Sequence, residues 1–208
     1  MFEPNPQIAW QEFSPLSQQH LELQLKRLAI TLGIDENKEA LPQLERAASR
    51  LEVAEHQSKE VKARLPLLRL AQQFGLDELD CELLLLAIAP AVSEIWRESL
   101  ESSTRYGKLD VATAVRLLSA RGLSPLQALQ RFENDAPLRC HQLLHVFSVG
   151  RAERSQLLSH RLQAPLRVAH YLLGRRCLDD ALNAFARLVL PNNALDELIL
   201  DPSMVDAL

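Results

Sequence analysis

The chain has 208 residues, of which 47% are hydrophobic, so it is long enough to bury a substantial core. Helix-forming residues are abundant while Gly and aromatic residues are few, which predicts a mainly α fold. The formal net charge of −4 excludes a strongly basic chain as a whole. The charge is uneven, however, because residues 105–176 carry 12 Lys and Arg against 4 Asp and Glu. This basic segment could face nucleic acid, an acidic protein surface or water.

Residues 1–62 carry two amphipathic helical patterns. Ser17 can cap the first helix, and Pro42 falls in the first turn of the second. Each pattern places its apolar residues along one stripe, and a short polar turn joins the two, which predicts an antiparallel helical hairpin. The stripe residues are Leu21, Leu25, Leu28 and Leu32 in the first helix, and Leu44, Ala47, Leu51 and Ala54 in the second.

Residues 63–176 contain several short helical patterns followed by two extended ones. Pro66 begins a helix that Gly75 ends, and Asp77 opens a second helix that is apolar nearly all round. That second helix is predicted to lie at the centre of the core and to stop at Pro90. Ser93 can cap a further short helix that carries Ile95 and Trp96.

A helix-turn-helix is predicted next. Asp110 caps one helix, Gly122 breaks the chain, and Ser124 with Pro125 begins a second helix over residues 125–134. Extended runs at 138–149 and 156–162 then predict a β-hairpin wing with its tip at 150–155. A last core helix follows Pro165, with Leu166 on its buried stripe, and ends at Gly174. The predicted fold is therefore mainly α: a helical hairpin followed by a winged helix-turn-helix domain with a small β-hairpin wing.

Residues 177–208 are predicted to form a C-terminal helix, Asp179 to Leu190, and a linker or tail. The longest apolar run, residues 83–92, is about half of what a bilayer crossing needs, and no signal peptide is evident at the N-terminus. The three cysteines are widely spaced and never form C-x-x-C, so a disulfide framework is not expected. These features predict a cytoplasmic protein that does not enter a membrane.

No catalytic constellation is apparent. A Walker A loop needs Gly-x-x-x-x-Gly-Lys, and no two glycines of this chain have that spacing. Cys140, His141 and His145 are the nearest approach to a zinc site, but nothing completes the ligand set and ordinary half-buried residues are favoured. The carboxylates from Asp77 to Glu82 are explained by their place at a helix start. The chain is therefore predicted to be no enzyme and to need no cofactor or metal.

Arginines supply the candidate contacts to a partner or to nucleic acid. A winged helix that reads DNA places its second helix in the major groove and its cations on the phosphates. The predicted helix 125–134 is poor in cations and is followed by Asp135, so a protein partner is favoured and a DNA-binding transcriptional regulator is the alternative. The candidate contact residues are Arg131, Arg139, Arg151, Arg154, Arg161 and Arg167.

Four segments carry a family resemblance: LAQQFGLDELDCELLLLAIAPAV at residue 70, LDVATAVRLLS at 109, APLRCHQLL at 136 and LQAPLRVAHYLLG at 162. Together they resemble the winged-helix region that precedes the ATPase core in the AAA+ ATPases of phage-tail-like contractile injection systems. The resemblance implies a non-catalytic accessory domain that contacts an ATPase core or an assembly client. The Walker motifs of that family have no counterpart in this chain, so no catalytic residue is carried over.

Overall fold

The computed structural model describes residues 15–32, 34–57, 65–103, 109–120, 122–148, 156–174, 182, 185 and 186. Within them the chain forms nine α-helices and one two-stranded antiparallel sheet. The helices are α1 (Pro15–Thr31), α2 (Leu41–Gln57), α3 (Pro66–Phe74), α4 (Glu78–Val92), α5 (Glu94–Ser103), α6 (Val111–Ala120), α7 (Pro125–Gln130), α8 (Pro137–Cys140) and α9 (Leu166–Leu172). The strands are β1 (His145–Phe147) and β2 (Arg161–Gln163).

The chain divides into two units, residues 1–176 and residues 177–208. In the second unit the described residues form a turn in which the backbone N–H of Ala186 donates to the carbonyl of Leu182 at 2.8 Å. The predicted helix from Asp179 to Leu190 lies mostly outside the described residues. The predicted division at residues 62 and 176 stays a prediction.

The helical hairpin is confirmed by the packing of α1 against α2. His20 lies early in α1 and Glu52 lies late in α2, yet the Nε2 atom of His20 is 3.4 Å from the Oε1 atom of Glu52. The two helices therefore run antiparallel. Ser17 was predicted to cap α1, but the helix begins at Pro15, a residue favoured in a first turn, and Ser17 is buried inside it.

Capping chemistry sets the ends of α3 and α4. Pro66 occupies the first turn of α3, and Gly75 ends the helix with a φ of 62°, a left-handed conformation that glycine adopts without strain. The predicted stop of α4 at Pro90 was wrong, because the helix continues to Val92. Pro90 lies in the last turn of α4, and after it the N–H of Ser93 still donates to the carbonyl of Ala89 at 3.0 Å.

The wing is smaller than the sequence predicted. Only His145–Phe147 and Arg161–Gln163 pair as strands, with Val146 opposite Leu162, and the predicted tip at 150–155 lies outside the described residues. The extended run predicted from residue 138 was wrong at its start, because residues 137–140 form the short helix α8. Pro137 at its first position favours that helical turn, which buries Leu138 completely.

A third segment joins the wing edge just before α6. The N–H of Leu162 donates to the carbonyl of Leu109 at 3.0 Å, and the N–H of Val111 donates to the carbonyl of His160 at 2.9 Å. This antiparallel bridge between Asp110 and Arg161 attaches the start of the helix-turn-helix to β2. The wing and the helix-turn-helix therefore share backbone hydrogen bonds as well as side-chain packing.

One hydrophobic core serves both the hairpin and the winged part. The helix α4 lies at its centre, as predicted, since seven consecutive residues from Leu83 to Ala89 are buried. The core gathers buried residues from the hairpin, the helix-turn-helix and the wing, including Leu21, Leu25, Leu28, Trp96, Val111, Leu118, Phe132, Leu144, Leu162 and Leu172. The prediction for Leu166 was wrong: it is half exposed at the start of α9, whose buried face carries Val168, Ala169 and Leu172. In the part of the chain that is described, no helix is both long and apolar enough to cross a bilayer.

Candidate functional site

The helices α6 and α7 and the turn between them form the helix-turn-helix. Asp110 caps α6, since its Oδ1 atom accepts a hydrogen bond from the N–H of Thr113 at 2.7 Å. Gly122 lies in the turn with a φ of 93°. Ser124 and Gln127 then form a reciprocal capping box at the start of α7, with N···O distances of 3.3 and 3.0 Å. The side-chain oxygen of Gln127 is therefore engaged in holding α7.

The second helix of the motif is shorter than predicted. The sequence pattern predicted a helix over 125–134, but α7 has six residues and gives way to turns at Arg131. Phe132 is 1% exposed and turns inward, whereas Leu126 is 75% exposed on the outer face. The segment from 131 to 136 leaves the helix because Phe132 packs into the core and Pro137 starts a new turn.

Arg131 connects the end of α7 to the start of α4. Its Nη1 atom lies 2.6 Å from the Oδ2 atom of Asp77 and 3.0 Å from the Oδ1 atom of Asp80. The other oxygen of each carboxylate takes part in the capping box of α4, in which Asp77 and Asp80 accept each other's backbone N–H. One cation thus stabilises two carboxylates that already face a helix N-terminus.

The pKa values of these groups follow from burial and pairing. Burial and the neighbouring charge of Asp77 raise the pKa of Asp80, which is 2% exposed, in spite of the attraction of Arg131. Burial alone would raise the pKa of Asp77, but hydrogen bonds from the Asp80 backbone and from Arg131 lower it overall. Partial burial opposes the charge of Arg131, yet the two carboxylates raise its pKa. Arg131 therefore lies between two carboxyl groups whose pKa values shift in opposite directions.

An open cleft of about 690 Å³ lies beside this cluster. We call it the α7 cleft; its lining residues are Leu79, Gly122, Leu123, Gln127, Gln130, Arg131, Glu133, Asp135, Ala136 and Pro137. Glu133 and Asp135 are exposed, and within the described part of the chain neither side chain has an ion-pair partner. Because Arg131 is held by Asp77 and Asp80, the described charges at this cleft are predominantly negative.

The remaining arginines predicted as contacts lie on different elements where the structure describes them. Arg139 is half-buried and donates from Nη1 to the carbonyl of Phe132 at 2.7 Å. Arg161 lies on β2 and is half-buried, while Arg167 is exposed on α9. Arg151 and Arg154 lie outside the described residues. Their predicted role as contacts stays a prediction.

The cysteine and histidine residues considered for zinc are spread over different elements. Cys140 ends α8, and exposed His145 begins β1, so the two residues do not share one element. The ring of His141 lies against that of Phe74, with 4.7 Å between centroids. Among the described residues no three His, Cys, Asp or Glu side chains are grouped so that they could hold a metal ion.

The order of these elements is that of a winged helix-turn-helix. The family model described as "Winged helix domain, variant" matches residues 12–186. The chain belongs to this family. The match includes α1 and α2 as well as the helix-turn-helix and the wing, in agreement with the single core that the winged-helix domain shares with the hairpin. No curated protein and no solved structure matches the chain significantly.

The α7 cleft itself was not predicted from the sequence. Arg131 was a predicted contact residue and Asp77 and Asp80 were interpreted as capping residues, but their pairing spans more than fifty positions of the chain. The sequence offered one signal, namely that two acidic residues, Glu133 and Asp135, follow the only cation at the end of α7.

Proposed function

We propose that this winged-helix domain is a non-catalytic protein-docking domain that contacts an ATPase core or a client during assembly of a contractile injection system. The resemblance of four segments to the winged-helix region of the AAA+ ATPases of such systems supports that assignment. These 208 residues contain no Walker A loop, so the proposal assigns no ATP hydrolysis to them.

The observation that carries the proposal is the chemistry of α7. Its six residues, PLQALQ, include no cation, and Arg131 at its end is already bound to Asp77 and Asp80. Exposed Glu133 and Asp135 would repel a phosphate backbone, whose neutralisation dominates affinity for nucleic acid. Leu126, which is exposed on the outer face of α7, is instead suited to a protein interface, where apolar contacts supply the core of the binding energy.

The experiment is hydrogen–deuterium exchange of the full chain with a purified AAA+ core of a contractile injection system. We expect protection of α7 and of the turns at 131–136, because a docked protein excludes water from the backbone there. Leu126→Ser should weaken binding roughly tenfold, the loss of one well-packed apolar anchor. Ile95→Ser is the matched control, since Ile95 is 70% exposed but lies on α5. Equal binding by the two variants would contradict the assigned face.

A DNA-binding regulator is the second candidate function, and the charge of residues 105–176 is the observation that favours it. In that case fluorescence anisotropy with a labelled duplex should show affinity that falls steeply between about 50 and 200 mM salt. Replacing Arg151 and Arg154 together by Ala should flatten that dependence. Such behaviour, without protection by the AAA+ core, would replace the docking function by DNA binding.

A further inference from the structure

We infer that the α7 cleft receives a basic, partly apolar segment of the partner protein. The inference rests on the proposed docking function and names the chemistry of what docks. The cleft is open to solvent, and this open shape suits a segment of chain better than a small ligand that needs to be enclosed. Its charge and its apolar residues decide which kind of segment it accepts.

Among the lining residues that the structure describes, Arg131 is the one cation, and because it is neutralised internally their net charge is negative. Arg131 contacts Asp77 at 2.6 Å and Asp80 at 3.0 Å, so the pair of carboxylates outweighs it. Glu133 and Asp135 add two further exposed carboxylates at the rim. An arginine or lysine of the partner would find both within reach, whereas an acidic segment or a phosphate would be repelled.

Arg139, two residues after the lining residue Pro137, is engaged in another contact. Arg139 follows Pro137 at the cleft edge, but its guanidinium donates to the carbonyl of Phe132 at 2.7 Å and stays half-buried. It therefore fixes the turn at 132–136 and does not cancel the charges of Glu133 and Asp135 by pairing with them.

Apolar side chains lie beside the carboxylates. Leu79, Leu123, Ala136 and Pro137 line the cleft. Leu126 lies one turn before Gln130 on the same face of α7, and Gln130 also lines the cleft. A segment that alternates basic and apolar residues would satisfy both parts of the surface at once.

The test uses the ¹⁵N-labelled full chain and a short peptide that alternates Arg and Leu, with a Glu-and-Leu peptide as the counterpart of opposite charge. The basic peptide should shift resonances of residues 122–137 in a saturable way, and the acidic peptide should not. Glu133→Lys with Asp135→Lys should reduce the affinity at least about tenfold, because two attractions become repulsions. The milder pair Glu133→Gln and Asp135→Asn should give a smaller loss in the same direction.

The control is Glu45→Lys with Glu98→Lys, which changes the net charge equally at exposed sites on α2 and α5. It should keep the affinity within about twofold. Equal losses of peptide affinity in both double variants would reveal non-specific attraction and overturn the inference. Resonance shifts confined to other surfaces, or saturable binding of duplex DNA in the cleft, would also overturn it. If the AAA+ core protects a different face of the chain, the docking function stands while the basic-segment inference fails.

Discussion

Replacing Arg131 by Met should destabilise the fold through the carboxylate that it leaves behind. Met keeps much of the arginine's apolar stem but removes both ion pairs, at 2.6 Å to Asp77 and 3.0 Å to Asp80. Asp77 is half exposed, so its pair contributes at most about 1 kcal/mol. Asp80 is 2% exposed and loses a charge-assisted hydrogen bond that contributes about 1.5–3 kcal/mol. Since Arg131 itself is partly solvated, we expect a net loss of about 2 kcal/mol.

Urea unfolding of the full chain, followed by far-ultraviolet circular dichroism at neutral pH, measures this loss. Arg116→Met is the matched control: Arg116 is exposed on α6 and its guanidinium contacts only the hydroxyl of Thr113 at 3.2 Å among the described residues. The control should change the free energy of unfolding by less than about 0.5 kcal/mol. Adding Asp80→Asn to Arg131→Met should recover about 1 kcal/mol, because the unpaired buried charge is then removed.

The pH dependence of stability is a second test of the contacts between Arg131, Asp77 and Asp80. Asp77 has a lowered pKa in the folded state, so its contribution to stability is present above the unfolded pKa of about 3.9 and is lost as the pH falls through the folded value. Asp80 has a raised pKa, so its ionisation costs stability as the pH rises. Arg131 lowers the pKa of Asp80, so without it Asp80 is protonated more easily, and the difference between the native protein and Arg131→Met should shrink as the pH falls from neutral. The loss of the Asp77 contribution adds to this decrease only below about pH 4. A difference below about 0.5 kcal/mol at neutral pH, or one that grows in acid, would refute the reasoning.

Three other perturbations have separate physical reasons. Gly75→Ala should lower the free energy of unfolding in urea by about 1 kcal/mol, because φ is 62° at this position. An added Cβ would meet no atom within 4 Å, so backbone strain is the whole effect. By the same assay, Phe132→Ala should lower the free energy of unfolding by about 3–5 kcal/mol, and Phe147→Ala on exposed β1 by less than about 1 kcal/mol. Equal losses of stability would contradict the placement of Phe132 in the core. Iodoacetamide at mildly alkaline pH should label exposed Cys140 well before Cys81. Burial, and to a smaller extent the charges of nearby carboxylates, raises the pKa of Cys81 to about 11. Peptide mass mapping that finds Cys81 labelled first would contradict this expectation.

Local signals in the sequence predicted the helices well. The pairing of Pro66 with Gly75, the cap at Asp77 and the cap at Ser124 were all confirmed, because the groups that begin and end a helix lie within a few residues of each other. The antiparallel hairpin and the wing were also confirmed. Both had been predicted from the periodicity of apolar residues along short segments.

The errors arose where tertiary packing overrides local preference. A helix was predicted over 125–134, but the core draws Phe132 inward and ends α7 at Gln130. An extended segment was predicted from residue 138, but burial of Leu138 favours a helical turn there. The pairing of Arg131 with Asp77 and Asp80 could not be predicted, because it depends on how α7 is placed against α4 and not on spacing in the chain.

The leucines of α1 share one core with α4 and α9. Removing the first helix would expose the apolar surface of the winged part that it covers. A shortened fragment that begins after α2 should therefore aggregate when the full chain does not. We expect the shared core to make the hairpin and the wing move together. A partner that binds the hairpin would then rotate the hairpin and the wing together. The direction of that rotation would depend on which part of α1 or α2 the partner contacts.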